Sequence, residues 1–374
     1  MGPPGVGKSQ AVEDAARDIA KQRNRTYIKF EKHYGSNSTW IVGDNTVESV
    51  TMEEIINHPD RYFVFVDLRL VECEPSDLSG FPQKENGWVS YNPLEWAVIL
   101  SMSPGVLFLD ELTNVQRPDV ITAAYKLTRD RMAGFTKFHD DVLVIAAGND
   151  PEHSEVANML PTPLVDRIRI WKVEGPTVEE WRRFMEEKYT DEWEKLTYAF
   201  MKAFETENYL LRVPRDLVTL SNFATPRSWT ELALSLHDGF NSLDDILTHV
   251  GGEVGQRFYA FMQTRIPTID ELLRKPKLFS DFEDLKDGQG RLEKEYMSVF
   301  LLSTWAELHP DILSDCLPLS HAIYEVSKEF VALLVRMLPR TIRLKYFTAL
   351  EQDKKHFNDL LETLLTVKAE MPKA

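Results

Sequence analysis

Three runs of consecutive apolar residues mark the first half of the chain, at residues 62–66, 106–109 and 142–147. Since these runs do not alternate with polar residues, each predicts a strand buried on both faces of a sheet. Residues 118–131, between the second and third runs, have apolar positions at the spacing of a helix. Strands that alternate with helices predict a parallel α/β sheet covered by helices on both sides.

The pattern changes at about residue 176, after which long amphipathic helical segments follow one another with few strand signals. One such segment begins around Trp181, and another begins after Pro226, a residue favoured in the first turn of a helix. We therefore predict an α/β domain over residues 1–175, followed by helical regions over 176–245 and 246–374.

The composition is that of an ordinary globular protein, with 43% hydrophobic and 27% charged residues in 374. No apolar run approaches the ~20 residues of a membrane helix, and no secretory leader is visible, so we expect a cytoplasmic protein with no membrane partner. Cys73 and Cys316 are too few and too far apart for a disulfide framework. A formal net charge of −16 disfavours a general nucleic-acid surface, which would need a basic footprint.

The N-terminal segment fills every position of the phosphate-binding pattern G-x-x-x-x-G-K-[ST]. Its residues are Gly2, Pro3, Pro4, Gly5, Val6, Gly7, Lys8 and Ser9. The glycines allow backbone N–H groups to curl around phosphates, Lys8 brings a cation to the same oxygens, and Ser9 offers a hydroxyl to Mg²⁺. The alternative is a Gly/Pro turn that happens to precede a helix. The pattern predicts a site for ATP and Mg²⁺.

Two polar signals follow the second and third apolar runs. Asp110 and Glu111 end the second run, where Asp110 would hold the Mg²⁺ and Glu111 would orient and deprotonate an attacking water. Asn149 ends the third run and could hydrogen-bond the γ-phosphate and that water. In open α/β sheets, ligands bind beyond the carboxyl ends of the strands, where all three would project. The alternatives are a solvated acidic pair and simple turn chemistry at Asn149-Asp150-Pro151.

The position of the phosphate-binding loop is unusual, because such a loop normally follows a buried strand and only Met1 precedes it. We expect the chain as given to lack that strand, through truncation or a start assigned too late. Neighbours on both sides of a central strand depend on it. The chain as given is therefore expected to be compromised in stability or in nucleotide binding.

In its order of motifs the chain resembles the AAA+ ATPases, and more narrowly their MoxR-like, dynein-related branch, over roughly the first 240 residues. The matching segments are the phosphate-binding loop, residues 109–112, residues 146–149, the "D-L-x-G" stretch within residues 74–80 and the "L-x-D-R-F" box at residues 164–168. The box has Ile168 where an aromatic residue is usual. The resemblance implies a nucleotide-binding core over 1–175, an α-helical lid over 176–245 and a helical C-terminal extension over 246–374.

The resemblance also implies two arginines that act on the nucleotide. Arg167 would be an arginine finger that reaches the γ-phosphate bound by a neighbouring subunit, so hydrolysis would require a homo-oligomeric ring. Arg169 is a second candidate for this role. The alternative is that Arg167 forms a local ion pair with Asp166. Arg227, at the start of a lid helix, would reach the bound nucleotide in its own subunit. Its alternative is a surface arginine in a helix-opening turn.

For function, the resemblance implies a ring that couples ATP hydrolysis to remodelling, or to cofactor or metal insertion, in a partner protein, such as one with a von Willebrand A domain. An aromatic loop in which Phe81 or Trp88 grips a client polypeptide is implied as well, against packing of these rings on the domain's own surface. Three other functions stay open: a nucleotide-gated scaffold with little turnover, a P-loop kinase for a small molecule, and a DNA-directed motor of a restriction-type system.

Overall fold

The computed structural model describes residues 1–31, 39–43, 49–150, 160, 162–166, 168–213, 222–264, 266–279, 290–311 and 313–352. The chain divides into two compact units, Met1–Gly175 and Pro176–Ala374. Among the described residues, no helix is both long and apolar enough to cross a membrane.

The first unit contains a six-stranded sheet and two small hairpins. Its strands are β1 (Thr26–Glu31), β2 (Thr39–Val42), β3 (Ser49–Val50), β4 (Tyr62–Arg69), β5 (Phe81–Glu85), β6 (Trp88–Asn92), β7 (Gly105–Asp110), β8 (Met132–Ala133), β9 (Thr136–Lys137) and β10 (Val142–Ala146). The sheet has the order β10-β7-β4-β1-β2-β3, and β5-β6 and β8-β9 form the hairpins. The four strands from β10 to β1 are parallel, whereas β2 and β3 pair in antiparallel fashion at the edge. The predicted parallel sheet is confirmed for these four strands, and β2 and β3 add an antiparallel edge.

Helices cover both faces of this sheet. The helices of this unit are α1 (Lys8–Gln22), α2 (Met52–Asn57), α3 (Pro75–Ser79), α4 (Glu95–Met102), α5 (Pro118–Tyr125) and α6 (Thr162–Val165). On one face, Ala16 and Ala20 of α1 pack with Phe65 and Phe108 of the strands. On the other face, α4 and α5 bury their apolar side chains with strand residues such as Val64. Apolar side chains on both faces explain why β4 and β7 read as continuous hydrophobic runs.

Strand β10 departs from its prediction, because it is not buried on both faces. Val142 is buried, but Leu143 is 49% exposed and the next three residues are half-buried. The reason is its place in the sheet: among the described strands, β10 pairs with β7 alone. Beyond its carboxyl end, Gly2 forms an isolated parallel bridge with Asn149, and the Gly2 N–H donates to Gly148 O at 3.3 Å.

In the part of the second unit that the structure describes, the regular elements are helices. Its helices are α7 (Val178–Tyr189), α8 (Leu196–Ala203), α9 (Pro226–His237), α10 (Leu243–Val250), α11 (Gly252–Met262), α12 (Ile269–Arg274), α13 (Arg291–Leu308), α14 (Leu317–Val326), α15 (Lys328–Met337) and α16 (Arg340–Gln352). One hydrophobic cluster runs through these helices, from Val178 to Phe347, with Phe200 and Trp229 among its members. The fold class, an α/β sheet followed by a helical region, is thus confirmed. The division of this region at residue 245 stays a prediction.

A buried ionic group joins helices that are distant in the sequence of this unit. Glu186 on α7 accepts from Arg182 Nη1 at 2.7 Å and from Arg343 Nη1, on α16, at 3.2 Å. Arg343 also donates through Nε to Leu338 O at 2.7 Å. Burial works to raise the pKa of Glu186, but Arg343 and Arg182 outweigh it and hold the pKa below its usual value. The ionised group is therefore compensated inside the core.

Candidate functional site

The N-terminal loop takes a backbone conformation that its glycines make accessible. Gly5 and Gly7 have positive φ angles of 71° and 85°. Gly7 is the residue before α1, with ψ 22°, in the left-handed region that side chains disfavour. A Cβ on Gly7 would meet nothing within 4 Å, so backbone conformation rather than space calls for glycine. The loop leads directly into the N-terminus of α1, whose first N–H groups can donate hydrogen bonds to an anion.

Lys8 lies across the loop, and its ammonium group contacts three oxygen acceptors. Nζ donates to Gly2 O at 3.0 Å, to Pro3 O at 2.7 Å and to Asn149 Oδ1 at 3.0 Å. These acceptors are all uncharged, so their interaction with the ammonium is weaker than that of a phosphate would be. The structure thus brings Lys8 and Asn149 together, and their predicted role at one phosphate stays a prediction.

Ser9, at the start of α1, contacts Asp110 at the end of β7. Ser9 Oγ donates to Asp110 Oδ2 at 2.8 Å, while the Glu111 N–H donates to Asp110 Oδ1 at 2.8 Å. A hydroxyl and a carboxylate are hard oxygen ligands of the kind that Mg²⁺ takes beside substrate phosphates. Among the described residues, no group of three or more His, Cys, Asp or Glu side chains could hold a metal by itself. The donor set therefore fits a cation that a nucleotide would help to bind.

Glu111 starts the turn after β7 in an uncommon conformation. Its φ of 60° and ψ of 30° lie in the left-handed region, which is unfavourable for a residue with a Cβ. Asn114 Nδ2 donates to Glu111 Oε2 at 3.4 Å, and the side chain is half-buried beside Asp110. Glu111 thus follows Asp110 directly at the carboxyl end of β7, the part of the sheet where a general base for water would be needed.

Thr113 is a residue of the site that the sequence reasoning missed. It is buried, and its Oγ1 accepts from the Asn149 N–H at 2.8 Å and donates to Asn149 O at 3.1 Å. The approach is so close that a Cβ on Gly148 would lie 2.7 Å from this oxygen. Thr113 therefore fixes the backbone that carries the Asn149 amide. Its only signal in the sequence was its position two residues after Glu111.

Asp67 is a second residue that was missed. It lies near the end of β4, opposite Phe108 on the neighbouring β7. Burial, and after it the charge of Asp110, raise the pKa of Asp67 to about 6. Lys29 on β1 acts in the opposite direction. Asp67 directly follows the apolar run at residues 62–66 that predicted β4. The pattern of one strand does not tell which residues of the neighbouring strands lie beside this acid.

The resemblance also implied two arginines that act on the nucleotide, Arg167 and Arg227. Arg167 lies outside the described residues, and its neighbours Asp166 and Arg169 are exposed. Arg227 belongs to the second unit, where it is exposed at the second residue of α9. Thr225 caps that helix by accepting from the Ser228 N–H. The roles of Arg167 and Arg227 therefore stay predictions.

The aromatic residues expected to hold a client lie on the β5–β6 hairpin. Phe81 is 60% and Trp88 is 79% exposed, so neither ring is covered by the surface of its own unit. Tyr91, on the same hairpin, contacts Phe135 of the β8–β9 hairpin with 5.3 Å between ring centroids. The two hairpins together present a patch of exposed apolar side chains.

Comparison with known proteins gives no family for this chain. No family model matches it, and no curated protein matches it. A solved structure of NtrX from Brucella abortus in complex with ADP is similar over 91% of this chain and 68% of its own length, at 14% identity and a TM-score of 0.29. A likeness of that size carries no argument about function. The assignment of a P-loop NTPase fold to the first unit rests on its sheet order and on the contacts among Lys8, Ser9, Asp110 and Asn149.

Proposed function

We propose that the chain is an ATPase of the AAA+ family, of the MoxR-like branch, that binds and hydrolyses ATP with Mg²⁺. One observation carries this proposal. Residues from three distant parts of the chain meet at the carboxyl edge of the sheet, with Ser9 Oγ 2.8 Å from Asp110 Oδ2 and Lys8 Nζ 3.0 Å from Asn149 Oδ1. A phosphate-binding loop that meets an acid and an amide beyond the carboxyl ends of parallel strands supports nucleotide chemistry.

Each residue of this edge has a role in the proposed reaction. The glycine-rich loop and Lys8 bind the β- and γ-phosphates, and Ser9 and Asp110 hold the metal ion. Bound Mg²⁺ would neutralise charge on the phosphate oxygens. Glu111 accepts a proton from the attacking water, and Asn149 orients that water against the γ-phosphate. Thr113 keeps the Asn149 backbone in place through its two hydrogen bonds.

The proposal includes a ring of identical subunits. Arg167 would complete the site of a neighbouring subunit, and Arg227 would contact the nucleotide within its own. Both assignments rest on the resemblance of the motifs around these residues. A trans-acting arginine can raise turnover by about 10³–10⁵, so an isolated subunit would be nearly inactive.

The proposed work of the ring is remodelling, or cofactor or metal insertion, in a partner protein of the cytoplasm. Phe81 and Trp88 support a polypeptide client, because exposed aromatic rings on a hairpin bind apolar side chains. A partner with a von Willebrand A domain belongs to the same proposal. The net charge of −16 speaks against DNA as the partner.

The test is ATP hydrolysis measured over a range of protein concentrations. We expect phosphate release per subunit to rise cooperatively with concentration and to be lost in Glu111→Gln. The matched control is Glu72→Gln, which removes the same charge from an exposed side chain paired with Arg69, and should retain activity.

Other outcomes of this assay would overturn the proposal in favour of another function. ATP binding with no turnover at any concentration would leave a nucleotide-gated scaffold. Turnover that depends on DNA and falls steeply with salt would instead indicate a motor on nucleic acid. Transfer of phosphate to a small molecule without release of free phosphate would indicate a kinase.

A further inference from the structure

A line of charged residues crosses three neighbouring strands of the first unit. Lys29 on β1 lies opposite Phe65 on β4, and Asp67, two residues further on β4, lies opposite Phe108 on β7. Since alternate residues of a strand share a face, Lys29, Asp67 and Asp110 lie on the same face as Phe65 and Phe108. Those two rings stack with 6.3 Å between their centroids under α1. The charged residues therefore lie on the sheet face that α1 covers, and they lead towards the carboxyl ends of the strands.

The first turns of α1 supply partners at both ends of this line. Ser9 Oγ donates to Asp110, and Glu13, one turn later on the helix, accepts from Lys29 Nζ at 2.9 Å. Glu13 is also bonded by Arg17 Nη2 at 2.6 Å and by the Tyr27 hydroxyl at 3.2 Å. Lys29 thus forms its ion pair with Glu13 and also acts electrostatically on Asp67. Its positive charge therefore compensates the negative charge of Asp67 only in part.

From this placement we propose that Asp67 is a positioning residue for the magnesium site. Asp67 acts through Asp110, because the two carboxylates together make the electrostatic potential at the site negative. The inference rests on the proposed nucleotide function of Ser9 and Asp110. An acid beside a metal-binding carboxylate increases the attraction for a divalent cation at short range, especially where water is partly excluded. Lys29 has the opposite effect, because it reduces the same field.

The experiment measures binding of a fluorescent ADP analogue to the full chain while Mg²⁺ is titrated from an EDTA-treated start. In Asp67→Asn, we expect the Mg²⁺ midpoint to rise about tenfold, which is the scale seen when outer partners of metal ligands are removed. Binding of the analogue in EDTA should stay unchanged. The control Asp60→Asn removes the same charge at the opposite end of β4, where the side chain is fully exposed beside Arg25, and should leave the midpoint unchanged.

For a second variant we expect a shift of the Mg²⁺ midpoint in the opposite direction. Lys29→Met removes the cation that balances Asp67, so the Mg²⁺ midpoint should fall by roughly two- to fivefold, as expected for a partly exposed ion pair. The variant Asp67→Glu keeps the carboxylate and should lie closer to the wild type than Asp67→Asn does. A purely structural role for Asp67 would change the unfolding midpoint of the protein and leave its Mg²⁺ midpoint where it was.

The outcomes separate this inference from the proposed function. If the wild-type chain binds the analogue with no dependence on Mg²⁺, the proposed function itself fails. If the wild type depends on Mg²⁺ and Asp67→Asn has an unchanged midpoint, Asp67 has no such role and the ATPase proposal stands. If Asp67→Asn does not fold, a midpoint in Lys29→Met that rises or does not move overturns the inference on its own.

Discussion

The ammonium of Lys8 lies 3.0 Å from the side-chain oxygen of Asn149, although 141 residues separate them. The contact exists because the loop before α1 and the end of β10 meet at one edge of the sheet. Both residues would serve the same γ-phosphate, Lys8 through its charge and Asn149 through its amide. Their contact is the structural basis for the first prediction.

Lys8→Met should reduce nucleotide affinity by at least about tenfold, because it removes a charge-assisted hydrogen bond that contributes roughly 1.5–3 kcal/mol. Turnover should fall further, since the cation also stabilises charge that develops in the transition state. Equilibrium binding of labelled ATP and steady-state hydrolysis would measure the two effects. Lys21→Met, on an exposed position of the same helix, is the control. Equal affinity in both variants would contradict the role of Lys8.

Thr113→Val should separate positioning of Asn149 from nucleotide binding. Valine has nearly the same shape as threonine, but it loses both hydrogen bonds to the Asn149 backbone. We expect kcat to fall roughly ten- to hundredfold through misplacement of the amide, while the KM for ATP changes little. Thr113→Ser retains the hydroxyl and should keep most of the activity. A loss of affinity with unchanged kcat would argue that Thr113 supports the loop rather than the catalytic amide.

Some of this site could be predicted from the sequence, and the reason is geometric. The carboxyl ends of parallel strands meet at one edge, so Asp110 and Asn149 follow from the strand ends and the loop motif alone. Thr113 and Asp67 could not be found in this way, because their roles depend on a turn and on strand register that one strand's pattern does not contain. The same limit explains why β10 was wrongly predicted to be buried on both faces. An apolar run has the same pattern whether the strand has neighbouring strands on one side or on both.

Stability should depend on pH through Asp67. Burial and then Asp110 raise the pKa of this carboxyl from 3.8 to about 6 in the folded chain. The folded state therefore binds this proton more tightly than the unfolded state, so the contribution of Asp67 to stability is greatest below its unfolded pKa of 3.8 and is lost as pH rises through about 6. Ionisation of Asp67 should lower the free energy of unfolding by about 1–2 kcal/mol, a value that allows for solvent screening of the partly exposed side chain.

Asp67→Asn should remove that pH dependence. Urea unfolding at several pH values should show variant and wild type alike near pH 4 and the variant more stable near pH 7. Such a variant would be more stable and yet bind Mg²⁺ more weakly. A stability difference that does not change between pH 4 and pH 7 would show that Asp67 titrates normally.

In the second unit, Glu186→Gln should lower the free energy of unfolding by about 3–5 kcal/mol, because it leaves the buried guanidinium groups of Arg182 and Arg343 without their shared carboxylate. Glu187→Gln changes the neighbouring exposed acid and is the matched control. Urea denaturation followed by tryptophan fluorescence measures both. Equal stability of the two variants would mean that the buried charges are compensated in some other way.

The ring itself can be tested by mixing two inactive variants. Arg167→Ala keeps its own Glu111 but would fail to complete the neighbouring site, whereas Glu111→Gln keeps Arg167. In a random 1:1 mixture, about a quarter of the heterologous interfaces would combine an intact Glu111 with an intact Arg167. We therefore expect each variant alone to be inactive and the mixture to regain a comparable share of wild-type turnover. A mixture as inactive as its components would place Arg167 outside a shared site, and full activity of Arg167→Ala alone would remove its role altogether.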